Sequence, residues 1–117
     1  MGRNSVYRSK FTDDALRDVK SLPKNVRNAL KKEFQKKIHV DPVGCSEPLT
    51  SDLEAFRSFH HGDYRVVYRV FEKLGAVAVV AIGKKDAGHQ SGIYKRLEAL
   101  AEKGKLAEAV LRSLGRV

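Results

Sequence analysis

The sequence predicts an α+β domain: an antiparallel sheet of about four strands, mixed at its edge, with an N-terminal helical hairpin on one face and a C-terminal helix. Three observations predict it. Hydrophobic periodicity changes along the chain in the order β-α-α-β-β-β-α, and strands that follow one another directly tend to pair antiparallel. The segment Val77–Ile82 is apolar throughout, as expected of a central strand buried on both faces. With 117 residues the chain can bury one modest core but not two, so residues 1–117 read as one domain with its core at about 5–97 and a C-terminal helical extension over 98–117.

Taken in order, Val6 to Phe11 reads as the first strand. Thr12-Asp13-Asp14 then supplies an N-cap and two acids for a first helical turn. Ala15, Leu16, Val19 and Leu22 make one apolar stripe at helical spacing, and Pro23 stands where a second helix would begin. Val26, Leu30, Phe34 and Ile38 recur every four residues along that helix. Its outer face carries Lys24, Arg27, Lys31, Lys32, Lys36 and Lys37, a solvated face that can also grip phosphates. Asp41-Pro42-Val43-Gly44 ends the helix, and a loop is expected as far as Leu53. Strands follow over Glu54–Phe59, Tyr64–Glu72 and Ala76–Gly83, the last two joined by Lys73-Leu74-Gly75, where Gly75 offers a positive φ. After a polar loop from Lys84 to Gly92, a helix is expected over Ile93–Lys103, interrupted at Gly104, with a further amphipathic piece over Leu106–Leu114. Helices on one face of the sheet would leave the other free, and Arg57, Arg65 and Lys85 would converge on that free face.

Composition narrows the function classes. Lys and Arg number 23 against 14 Asp and Glu, a net charge of +9, and the excess is concentrated in residues 1–37 and 64–96. A small basic domain attracts polyanions, nucleic acid first. The single cysteine, Cys45, rules out an internal disulfide; with no second Cys or spaced His pair it reads as a buried or loop thiol, and no metal or cofactor is indicated. The longest apolar run, Ala76–Ile82, is far too short to span a membrane, and Met1–Phe11 has no hydrophobic signal core. A soluble cytoplasmic protein without a membrane partner is expected.

The stretch from Phe59 to Phe71 is the richest in chemistry. It holds His60 and His61, a tight turn at Gly62-Asp63, and Arg65 and Arg69 on one face of the following strand. Imidazoles that titrate near neutrality beside fixed positive charge suit proton transfer at a phosphodiester. In a strand His60 and His61 face opposite ways, so only one of them easily joins Arg65.

From Tyr7 to about Leu97 the chain resembles the RelE/ParE superfamily of bacterial toxins. The residues that carry the resemblance are Leu22-Pro23-Lys24 linking the two helices, Leu49 with Leu53, Phe56-Arg57, Gly62-Asp63-Tyr64-Arg65-Val66-Val67-Tyr68, Ile82-Gly83-Lys84-Lys85 and Ile93-Tyr94. The resemblance implies a RelE-like fold and a toxin neutralised by a cognate antitoxin, meeting operator DNA only through the antitoxin complex. In the RelE-like branch it implies a metal-independent endoribonuclease that cuts mRNA on the ribosome by directing a 2′-hydroxyl at the adjacent phosphorus. On that basis Arg65 corresponds to the strand arginine that stabilises the scissile phosphate. Lys85 stands where the family has a catalytic arginine, keeping the charge without the bidentate fork. Tyr94 corresponds to the tyrosine that stacks on a base or shares in proton transfer. The lysine pair that precedes the signature in ribosome-dependent members is absent. Arg57 is at best its partial replacement, and Ala55 and Ser58 cannot act for it. Histidine serves as acid or base in several branches, which makes His60 the first candidate, followed by His61 and His89. Arg57, His61, Arg69, Lys84 and His89 are the candidate phosphate contacts. Two other readings stand beside the nuclease: a ParE-like inhibitor of DNA gyrase, and an inactive member that only binds its antitoxin.

Overall fold

The structure, a computed structural model, describes residues 6–85 and 92–115. Strand β1 (Arg8–Phe11) starts later than the sequence pattern suggests. Its one described neighbour is β5 (Ala76–Lys84), which it meets in parallel from Arg8↔Ala76 to Phe11↔Val79, so Val6 and Tyr7 have no strand to pair with. Thr12 then caps α1 (Asp13–Ser21), its hydroxyl accepting from the Ala15 amide at 3.2 Å. Pro23 opens α2 (Lys24–Glu33), which runs into one wide π-helical turn, Phe34–Ile38, with Phe34 and Ile38 both in the core.

The expected loop before Leu53 contains a short strand, β2 (Glu47–Pro48), paired antiparallel with β3 (Arg57–His61). The sheet therefore has five strands rather than about four, in the order β1-β5-β4-β3-β2. Proline is tolerated in β2 because that strand is an edge. Residues Ser51–Leu53 form a 3-10 turn, and the Leu49 amide bonds the Phe56 carbonyl at 3.0 Å, so β3 begins at Arg57 rather than Glu54. β3 joins β4 (Tyr64–Phe71) through the two-residue turn Gly62-Asp63, where Gly62 takes φ +58°, a value that favours glycine. As expected, β4 joins β5 through a tight connection that ends on Gly75 with φ +59°.

The antiparallel β4–β5 ladder shifts register between Val67 and Tyr68, leaving Val80 as an extra residue on β5. This bulge puts Val80 and Ala81 on the same side of the sheet. α1 and α2 pack on one side, against Phe59, Val66, Tyr68, Val77 and Val79. α3 (Ile93–Glu102) and α4 (Lys105–Ser113), broken apart by Gly104 at φ +73°, place Ile93, Leu97, Leu106 and Val110 on the other side, over Val67, Ala78, Val80 and Ala81. The second face is thus largely covered, contrary to the expectation that helices would lie on one side only. The reason lies in β5 itself: a strand that is apolar on both faces must be shielded on both. The extension pattern of Leu106, Val110 and Leu114 is used for this shielding, while Leu111 stays exposed.

Candidate active site

The β3–β4 hairpin sets the geometry of the site. In its register His60 lies directly opposite Arg65, and Arg65 lies opposite Gly83 on β5. Directly opposite residues share a sheet face with Cβ atoms about 5 Å apart, so imidazole and guanidinium project side by side on the α3/α4 side, beyond the end of α3. The Arg65 side chain is held by its own turn, Nη1 donating to the Gly62 carbonyl at 2.9 Å and the Tyr64 carbonyl at 3.0 Å. Among the described residues no carboxylate pairs with it. Lys85 is tied to the same turn, its amide donating to the Asp63 carbonyl at 2.8 Å.

Charge around His60 is arranged to keep the ring neutral. Partial burial is the largest influence lowering its pKa, with Arg65 and then Lys85 acting in the same direction, while Glu47 opposes them. Lys85 itself follows directly on the last residue of β5, two residues after the Gly83 that faces Arg65. Glu47 reaches across from β2, its carboxylate 3.9 Å from His60 Nε2, too long for a hydrogen bond but close enough to be felt. Tyr94, in the first turn of α3, completes the group. Its hydroxyl lies 2.8 Å from that of Ser58, the residue two before His60 on the same face of β3. Same-face neighbours along a strand are about 7 Å apart, so His60, Arg65, Lys85 and Tyr94 occupy one end of one sheet face.

Gly83 makes this arrangement possible. A Cβ there would come within 2.7 Å of Ile93 Cγ2, so only glycine lets α3 start so close to β5 and bring Tyr94 in beside Ser58. The helix is fastened from behind by an ion pair that the sequence pattern did not suggest. Arg96 donates to both carboxylate oxygens of Asp18 on α1, at 2.7 and 3.1 Å, and Asp18 Oδ2 also accepts from the Ile82 amide at 3.0 Å. Past the end of β1, that amide would otherwise be an open sheet edge. Asp18 therefore joins α1, β5 and α3 at one point.

Several candidate residues lie elsewhere. Arg57 does not converge with Arg65. It shares the opposite face with Phe59, and its guanidinium is consumed by the 43–46 loop, donating to Ser46 Oγ at 2.7 Å, the Ser46 carbonyl at 3.0 Å and the Val43 carbonyl at 3.1 Å. That loop is also gripped by the buried Tyr68 hydroxyl, which donates to the Pro42 carbonyl at 2.6 Å. His61 likewise faces the hairpin side, with Nδ1 3.2 Å from Glu33 Oε2. Lys84 pairs with Tyr64 in the ladder and falls on that same side by alternation. Arg69 shares Arg65's face but lies four residues along the strand, about 13 Å away, with its guanidinium 4.9 Å from the centre of the Phe71 ring. His89 lies outside the described residues. Cys45 is a half-buried loop thiol whose pKa burial raises.

A sequence profile of the family described as the ParE toxin of the type II toxin-antitoxin system parDE matches residues 10–87, the span that runs from β1 past Lys85. The chain belongs to the RelE/ParE toxin superfamily. Among the similar proteins, Toxin RelE of Mycobacterium tuberculosis is 29% identical over 90 residues, covering 77% of this chain and 93% of that toxin. In the crystal structure of the toxin–antitoxin complex RelBE2 from Mycobacterium tuberculosis, a chain 25% identical matches with a TM-score of 0.65, over 68% of this chain and 92% of that one. The isolated Escherichia coli RelE toxin, 23% identical, matches in fold with a TM-score of 0.58 over 83% of this chain and 98% of its own. Beside Arg65 stands His60 on the adjacent strand β3, and one strand further out Glu47 on the edge strand β2. Glu47 was not legible in the sequence, because nothing marked a two-residue strand inside the loop. Ser58 was legible only as a polar residue between Phe56 and Phe59.

Proposed function

We propose that this toxin is a metal-independent endoribonuclease that cleaves mRNA, acts on the ribosome and is held inactive by a cognate antitoxin. The observation that carries the reading is the pairing of His60 with Arg65 across β3–β4, with Lys85 and Tyr94 at the same end of the sheet. The chemistry follows from the groups present. The neutral His60 imidazole takes the proton of a ribose 2′-hydroxyl, and the oxygen's electron pair forms a bond to the adjacent phosphorus. The bond from phosphorus to the 5′-oxygen breaks, and that oxygen takes a proton from solvent water at the exposed shelf, giving a 2′,3′-cyclic phosphate and a 5′-hydroxyl end; the proton held on His60 returns to solvent. Arg65 and Lys85 offset the extra negative charge of the pentacoordinate state; losing one such contact costs on the order of a hundredfold in rate. The exposed shelf carrying His60 and Lys85 suits a polymer laid across it better than an enclosed small molecule. The RelBE2 complex supports an antitoxin partner for this chain.

Gyrase inhibition is the second reading, favoured by the ParE description of the matching family and by the missing lysine pair. Induction of the toxin in cells, with parallel mapping of mRNA 5′ ends and of plasmid supercoiling, separates the two. New mRNA ends with normal supercoiling, abolished by Arg65→Ala, are expected. Altered supercoiling without new ends would replace the nuclease by the gyrase reading, and neither effect would leave an antitoxin-binding member.

A further inference from the structure

Besides the Tyr68 hydroxyl, which donates to Pro42, the buried polar side chains among the described residues are Thr12 at 5% exposure and Ser58 at 2%. Thr12 is accounted for by its cap. Ser58 is not explained by the fold: it stands on β3 opposite Val67, on the side where Leu53, Phe56 and Val67 form an apolar cluster. Its neighbour Glu47 on β2 turns its carboxylate towards His60 instead. The described side-chain partner of the Ser58 hydroxyl is the Tyr94 hydroxyl, 2.8 Å away.

A hydroxyl both donates and accepts, and an enclosed donor with no acceptor is a substantial penalty. If Tyr94 donated to Ser58, the Ser58 hydrogen would have no acceptor among the described residues, on the side of Leu53, Phe56 and Val67. If Ser58 donates to the phenolic oxygen, its hydrogen is used, and the Tyr94 hydrogen is left to point away from the core, on the face that also carries His60 and Arg65. We propose that Ser58 is a positioning residue: by donating to Tyr94 it fixes the phenol and aims the phenolic hydrogen at an oxygen of the bound phosphate. This rests on the nuclease reading and deepens it, because it gives Tyr94 a hydrogen-bonding task in addition to any stacking by its ring. No bond is made or broken by Ser58 itself.

The test is a double-mutant cycle on the full chain, with wild type, Ser58→Ala, Tyr94→Phe and the double variant compared for RNA cleavage and for melting temperature. Serine and alanine differ by one hydroxyl, so packing is conserved. Tyr94→Phe is expected to lower kcat by about a hundredfold, as loss of a phosphate donor does. Ser58→Ala is expected to lower kcat by about tenfold with KM little changed, and to cost nothing further in the Tyr94→Phe background. The melting temperatures should show the same coupling. Tyr94→Phe strands the Ser58 hydroxyl and melts below wild type, and adding Ser58→Ala recovers part of the loss. An equal rate loss from Ser58→Ala in both backgrounds would reduce Ser58 to a packing role and overturn the inference, as would full activity of Tyr94→Phe. Cleavage that is the same for wild type and Arg65→Ala would instead bring down the nuclease reading itself, and the inference with it.

Discussion

At the scale of single residues, the proposed base role of His60 makes its surroundings set how activity responds to pH. A base must be neutral, so the rate should rise with pH through the His60 pKa and level off above it. Burial, Arg65 and Lys85 hold that pKa below the ordinary histidine value, and Glu47 pulls it upward. Glu47→Gln removes an influence that favours the charged ring, so the acid limb of the rate profile should move to lower pH. Lys85→Gln removes one that favours the neutral ring, so the limb should move to higher pH, with a lower plateau because a cation is lost. Opposite displacements in single-turnover profiles are the expected result; displacements in the same direction, or none, would take the base role away from His60. The His60–Arg65 pairing was legible in the sequence because alternation and a two-residue turn largely fix which side chains meet. The same alternation, once His60 is set beside Arg65, sends Arg57 and His61 to the other face. Charge alone would group Arg57 with Arg65, but parity separates them, and the three bonds of Arg57 to the 43–46 loop depend on a loop path that spacing does not reveal.

At the scale of elements, the position of α3 matters most, because Tyr94 arrives with it. Its amphipathic stripe told which residues would face inward, but a stripe does not say which sheet face receives it. The fully apolar β5 did hold that information, since burial on both faces requires cover on both. The Asp18–Arg96 pair was not legible, joining as it does two residues 78 positions apart whose partners are set by tertiary packing. Asp18→Ala should destabilise the fold by roughly 2 kcal/mol, the scale of hydrogen bonds to charged groups, because it leaves both Arg96 and the Ile82 amide without their acceptor. Asp18→Asn should cost less, since the amide oxygen can still accept from Ile82. Urea unfolding midpoints for the two variants check the order; equal costs would mean that the Ile82 bond contributes little.

At the scale of the whole molecule, the two basic regions lie on different sides of the sheet, the lysine face of α2 on one and Arg65 with Lys85 on the other. Both attract phosphate, so RNA affinity should fall linearly against the logarithm of salt concentration, with a slope of about −0.7 for each single-strand phosphate neutralised. A flat response in binding titrations would remove nucleic acid as the ligand. Neutralising lysines of α2 should flatten the slope without changing the pH profile, because those side chains lie across the sheet from His60. The parallel pairing of β1 with β5 carries a different kind of consequence, for the order in which the chain assembles. Arg8 cannot find Ala76 until the intervening 67 residues have been synthesised, whereas β3, β4 and β5 are joined by tight turns and can pair as soon as they emerge. Closing so long a loop is slow, and late contacts of this kind set the pace of folding. Pulse-labelled hydrogen exchange during refolding should therefore protect the amides of β4 before those of β1. A nascent chain would then set His60 opposite Arg65 before its N-terminal strand is docked, so that an interval exists in which that hairpin is formed but the sheet's edge is still open.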